Sequence, residues 1–141
     1  MQAIRAAHSS ILVQAYSFTS QPITRALIDA SRRGVKVDVI LDKSQERERH
    51  STAEWLARSG VPVEVDAVHA IAHNKVMVID GETVLTGSFN FTTAAEERNA
   101  ENLLLVQDPA LAARYAANWQ AHRVHATPYA ERREETQRST R

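Results

Sequence analysis

An α/β fold, with a mixed central β-sheet flanked by helices, is expected from three features of this chain. Stretches with a strand-like apolar pattern alternate with stretches whose apolar residues recur at helical spacing, an order that packs helices against a sheet. Two of the strand-like stretches flank Asp80-Gly81, a dipeptide that favours a tight hairpin. With 141 residues, 43% of them hydrophobic and 24% charged, the chain fits one domain with a real core.

The elements follow in order. Residues 2–8 read as the end of a helix, and Ile11 to Tyr16 as a buried strand. Pro22 suits a first helical turn, and Ile23, Leu27 and Ile28 form one apolar stripe. That helix is expected to stop at Gly34, after Arg32 and Arg33. Val35 to Leu41 is the next strand, and residues 42–50 are a charged connection. Ser51 and Glu54 have capping-box spacing for a short helix closed by Gly60, and Val61 to Val65 is again a strand. Lys75 to Ile79 and Thr83 to Thr86 make the hairpin. A short helix over 92–98, a strand over 102–106 and an amphipathic helix from Pro109 to about His125 complete the domain. The domain is placed at 1–128, with 129–141 as a polar, frayed tail.

Composition narrows function by exclusion. With no cysteine, there is no disulfide, thiolate metal site or thiol nucleophile. Seventeen basic and 17 acidic residues cancel, so the chain lacks the basic excess common in nucleic-acid binders; action on nucleic acid implies weak, salt-sensitive holding and recognition of the phosphodiester. No apolar run approaches the roughly 18 residues of a membrane span. Met1 to Arg5 lacks the basic and apolar segments of a signal peptide, and the compartment is left open.

The chemistry concentrates in His73-Asn74-Lys75-Val76-Met77-Val78-Ile79-Asp80. Strand alternation puts His73 and Lys75 on one face, and Asp80, five residues beyond Lys75, on the other, as a turn or scaffold residue. A two-residue loop, either Asp80-Gly81 or Gly81-Glu82, sets Ser88 and Asn90 on the face of His73 and Lys75; a three-residue loop reverses this. Gly87 is expected to let a substrate approach the backbone closely. Lysine offers a charge to a phosphate oxygen, and asparagine and serine offer neutral donors. Histidine attacks phosphorus or shuttles a proton near neutral pH, and a carboxylate orients it. Glu101 is the candidate carboxylate, ahead of Glu96 and Glu97.

The run from His73 to Asp80, then Thr86-Gly87-Ser88-Phe89-Asn90-Phe91-Thr92, then Asn99-Ala100-Glu101-Asn102, resembles the phospholipase D superfamily. It is most similar to its small bacterial endonucleases with one H-x-K-x4-D motif per chain. Ala15 to Thr19 resembles their early strand, and Trp119 falls within a similar closing helix, so the likeness covers about residues 2–125. The resemblance implies cleavage of DNA, with RNA a further candidate, through a phosphohistidine. His73 of one subunit is then the nucleophile and His73 of its partner the acid. Lys75 and Asn90, assisted by Ser88, hold the phosphate, Glu101 orients His73, and Asp80 is structural. It further implies a homodimer with the active site at the interface, because one chain holds one motif, and no metal or other cofactor. Relatives begin with an extra strand, and exported ones with a signal peptide, neither of which precedes Met1 here.

Two rival readings stand beside this one. A phospholipid substrate predicts an apolar patch or amphipathic helix beside the site; no basic amphipathic membrane helix is visible, and no stable membrane association is expected. The other rival is an inactive DNA-binding or dimerisation module. His69 and His73 are four apart but lack the glutamate of the helical zinc motif, so no metal site is expected there. His8, His50, His122 and His125 are scattered and read as surface residues, and Trp55 and Trp119 as core.

Overall fold

The computed structural model describes residues 1–140. After a short helix α1 (Gln2–Ala6), β1 (Ser10–Ala15) enters the middle of the sheet. Helix α2 (Gln21–Arg32) begins where the Ser20 side chain accepts from the Ile23 N–H at 3.3 Å, with Pro22 in its first turn. It ends before Gly34, whose φ of +93° turns the chain into β2 (Lys36–Asp42).

A single 3-10 turn over Lys43–Glu46 and helix α3 (Ala53–Arg58) lead to β3 (Val63–Asp66). The capping box read at Ser51 and Glu54 does not form: Thr52 is the N-cap, without a side-chain cap bond, and Glu54 pairs with Arg58 and Arg133 instead. Then come β4 (Lys75–Ile79), β5 (Thr83–Gly87), α4 (Thr93–Glu97), β6 (Leu103–Gln107), α5 (Pro109–Arg123) and the two-residue β7 (Thr127–Pro128). Residues 129–139, read from the sequence as a frayed tail, form helix α6 (Tyr129–Ser139). Tyr129 is buried, and Arg132 and Arg133 pair with Glu46 and Glu54, contacts between residues about 80 apart that no local pattern announces.

The sheet has seven strands in the order β6-β5-β4-β1-β2-β3-β7. β1, β2 and β3 are parallel, and β4, β5, β6 and β7 join antiparallel, so the sheet is mixed as expected. Every residue of β4 is buried, which explains its unbroken apolar run Val76-Met77-Val78-Ile79. The larger core lies on the face of Ile11, Val13, Val39, Leu41 and Met77, under Leu27, Ile28 and Leu56. The opposite face packs Val76, Val78 and Val84 against Ala112 of α5. Trp119 of α5 is also core, its indole N–H donating to the Val13 carbonyl at 2.9 Å. Trp55 is 37% exposed, contrary to its reading as core.

Candidate active site

The hairpin determines which side chains meet. Ile79 pairs with Thr83, so three residues, Asp80, Gly81 and Glu82, close the loop rather than two. Asp80 and Gly81 make the turn with φ of +56° and +65°. The Glu82 N–H closes the turn on the Ile79 carbonyl at 3.1 Å, and the Glu82 carbonyl accepts from the Asp108 N–H at 2.9 Å, outside the hairpin. The expected two-residue register is therefore corrected: the three-residue loop continues to Gly87 opposite Lys75, so the pairing does not put Ser88 and Asn90 on the face of His73 and Lys75. The ladder stops at Gly87, whose partner is Leu103, and Ser88 and Asn90 lie beyond it. Gly87 does bring a backbone close, but it is that of Asn102: a Cβ at Gly87 would lie 2.1 Å from the Asn102 carbonyl oxygen.

His73 lies in the loop before β4, two residues ahead of Lys75, and is exposed. Lys75, only 8% exposed, donates from Nζ to the His73 carbonyl at 2.8 Å. Tyr16 unites the pair: its ring meets the His73 ring edge to face at 4.8 Å, and Lys75 Nζ lies 5.5 Å from its centroid. Burial lowers the pKa of Lys75, and the negative charge of Glu101 works against that shift.

Glu101 is held by its neighbours. One carboxylate oxygen accepts from the Ser88 hydroxyl and the other from the Asn99 amide at 3.2 Å. Ser88 in turn accepts from the Asn102 N–H at 3.0 Å. Glu101 thus meets Ser88 and acts on Lys75 through its charge, while a hydrogen bond to His73 is not formed in the single chain among the described residues. Asn90 lines an open groove of about 1210 Å³ together with Tyr16, Arg49, His50, Trp55 and Arg98. Its side-chain oxygen is buried and has no partner among the described residues, a polar group still to be satisfied.

Asp80 lies at the far end of β4. Its carboxylate accepts from the backbone N–H groups of His8, Ser9 and Ser10 and from the Ser9 hydroxyl, at 2.8–3.2 Å. Burial raises its pKa, but these hydrogen bonds outweigh burial and the net shift is downward.

The model of the cardiolipin synthase, PLD-like domain matches residues 1–123. The chain belongs to the phospholipase D superfamily. Within this superfamily it is 49% identical over 113 residues to a phospholipase D of Rickettsia conorii, covering 80% of this chain and 56% of that protein. A mitochondrial cardiolipin hydrolase of Xenopus laevis is 36% identical over 109 residues, 77% of this chain and 52% of that one. The chain thus spans a little over half the length of these curated relatives. Among solved structures, Nuc of Salmonella typhimurium, a phospholipase D family member, superposes with a TM-score of 0.87 at 40% identity, over 91% of this chain and 86% of that one. NucT of Helicobacter pylori gives a TM-score of 0.84 at 28% identity, over 90% and 86%.

Sequence reasoning missed three supporting residues. Tyr16 was visible only as a strand residue, because its contact with His73 crosses 57 positions. Asp42 anchors the loop ahead of His73, accepting from the Ala72 N–H at 2.7 Å. Asp66 gathers His69, His122 and His125, although in the sequence the last two stand as scattered surface residues. The signal available for these was a pair of three-residue intervals, Asp66 to His69 and His122 to His125.

Proposed function

We propose that the protein is a phosphodiesterase that cleaves DNA, with RNA a further candidate, by two-step phosphoryl transfer in a homodimer. The observation that supports this most is the nearly buried Lys75 bound to the backbone of the exposed His73, over one Tyr16 ring, in a superfamily member with a single such motif. The likeness to Nuc and NucT over about nine tenths of the chain supports the same choice.

In this reading a ring nitrogen of His73 attacks phosphorus, forming a P–N bond as the bond to the leaving oxygen breaks. His73 of the partner subunit gives that oxygen its proton. The second half reverses the roles: the partner's His73 takes a proton from water, the resulting hydroxide forms a new P–O bond, and the P–N bond breaks to free His73. Lys75 and the side-chain amide N–H groups of Asn90, which lines the groove beside Tyr16, hold the phosphate oxygens, and Ser88 positions Glu101 at the edge of the site. Lys75 supplies fixed positive charge to the phosphate, so the steps assigned to these residues require no metal ion. Asp80 ties the hairpin to the start of β1.

A phospholipid substrate is the second reading. The relatives named phospholipase D and cardiolipin hydrolase favour it, and so does a specific feature of the surface. Leu103, Leu104 and Leu105 of the edge strand β6, directly after Glu101-Asn102, are 49%, 61% and 58% exposed. Among the described residues, no helix is long and apolar enough to cross a membrane.

The deciding assay offers plasmid DNA and phospholipid vesicles side by side, in excess EDTA, to the protein and to His73→Ala, with folding followed by circular dichroism. DNA breakdown by the unaltered chain alone supports the proposal. Lipid hydrolysis without DNA breakdown moves the assignment to the second reading. Binding of DNA by a folded protein without turnover points to an inactive module.

A further inference from the structure

At the C-terminal end of β3, one carboxylate collects three imidazoles. Asp66, the last residue of β3, is fully buried. Its Oδ2 lies 2.9 Å from His69 Nδ1, 3.0 Å from His122 Nδ1 and 3.2 Å from His125 Nε2. His69 comes from the loop that leads to His73, His122 from the last turn of α5, and His125 from the link to β7. The three rings face one another, with centroids 5.0, 5.2 and 5.5 Å apart.

We propose that Asp66, His69, His122 and His125 bind one divalent transition-metal ion of the zinc class, which staples the end of α5 and the loop before His73 to β3. The four ligand atoms all lie within 4.8 Å of one another. Zinc bonds of about 2.0–2.1 Å in a tetrahedron put neighbouring ligand atoms roughly 3.3–3.4 Å apart, so the Oδ2–nitrogen spacings need only a few tenths of an ångström of adjustment. The donors are three imidazole nitrogens and one carboxylate oxygen, a set that suits zinc, cobalt or nickel rather than magnesium or calcium.

The surroundings are built in the same sense. Asp66 Oδ1 is occupied by the Val68 and His69 N–H groups at 3.1 and 3.4 Å, which orients the carboxylate and leaves Oδ2 for the ion. The ligands arrive as two close pairs from distant parts of the chain, the usual layout of structural zinc sites. The Lys43 ammonium also fixes the loop by donating to the His69 carbonyl at 3.0 Å. The same four residues without an ion form a hydrogen-bonded cluster around Asp66, and that is the alternative to be tested. The inference holds whatever substrate His73 acts on.

Tag-free protein is stripped with a chelator, titrated with Co(II) and then with Zn(II), and followed by visible absorption, elemental analysis and thermal melting. One equivalent per chain is expected, with the intense visible bands of tetrahedral Co(II) and their loss when zinc displaces it. Saturating zinc is expected to raise the Tm by about 5–10 °C. His69→Ala and His125→Ala, at partly exposed positions, are expected to lose both effects, and His50→Ala to keep both. If either ligand variant fails to fold, Asp66→Asn, which keeps the shape of the side chain, is measured in its place. Absence of saturable binding to the unaltered protein, or equal binding by the folded ligand variants, would overturn the proposal in favour of the hydrogen-bonded cluster.

Discussion

Lys75 Nζ donates to the carbonyl of His73 two residues earlier, so the charge that would hold a phosphate also fixes the backbone of the proposed nucleophile. Loss of the lysine therefore removes two things at once. Lys75→Ala is expected to lower kcat by at least 10²-fold, and Lys75→Met, which restores packing without charge, by a similar factor. Recovery of activity in Lys75→Met would assign Lys75 to packing alone.

The alkaline side of the pH–rate profile should report the same residue. Because burial lowers the pKa of Lys75, its ammonium is lost at a pH below the ordinary lysine value of about 10.4. Activity that needs the charge should fall through that lower pKa. The sign for stability is opposite: burying the charged form costs stability below the folded pKa, and that cost is relieved as pH rises toward the unfolded value. A rate constant that stays flat to about pH 10.4 would contradict a charged Lys75 in the reaction.

Shared sites can be counted by mixing subunits. If each site uses His73 from both chains, dimers formed at random from equal amounts of the protein and His73→Ala retain about one quarter of the full activity. Independent sites retain about one half. Co-expression with two separable tags, followed by the DNA assay, distinguishes the two values.

Asp80 offers a stability test separate from chemistry. Asp80→Asn keeps the shape but replaces one acceptor oxygen by a donor facing the N–H groups of His8, Ser9 and Ser10, and is expected to cost about 1–3 kcal/mol. Since the folded pKa lies below the unfolded one, the carboxylate's stabilisation is complete above about pH 3.9 and is lost as pH falls through the folded value. Denaturant melts at pH 7 and pH 2 should therefore differ less for the variant. Activity at permissive temperature should persist; its loss in a fully stable variant would give Asp80 a part in catalysis.

Gly87→Ala probes the close approach of β5 to the Asn102 backbone. The added methyl group would overlap the Asn102 carbonyl, so the strands must part beside Glu101. Thermal melting should show destabilisation of about 1–3 kcal/mol, the usual cost of overpacking. An unchanged Tm would show that β6 shifts freely against β5.

Much of the site was legible because its signals are local. The spacing of His73 and Lys75, the turn at Asp80-Gly81 and the helix α2 from Pro22 to its stop at Gly34 each depend on residues within a few positions. The position of Ser88 and Asn90 was not legible, since it rested on one residue of hairpin register. That register places Glu82 outside the paired residues, where its carbonyl accepts from the distant Asp108 N–H. Helix α6 escaped for a similar reason: its polar sequence lacks a stripe, and its partners Glu46 and Glu54 lie far back in the chain.

By itself, the sequence determined the α/β order of elements, the central apolar strand β4 and the His73–Lys75 segment, because periodicity and turn chemistry act over short stretches. Only the tertiary structure decided that Tyr16 joins His73 to Lys75, that Glu101 meets Ser88, and that Asp66 draws in His69, His122 and His125. Those contacts form where distant segments pack side by side, and spacing along a chain carries no measure of that distance.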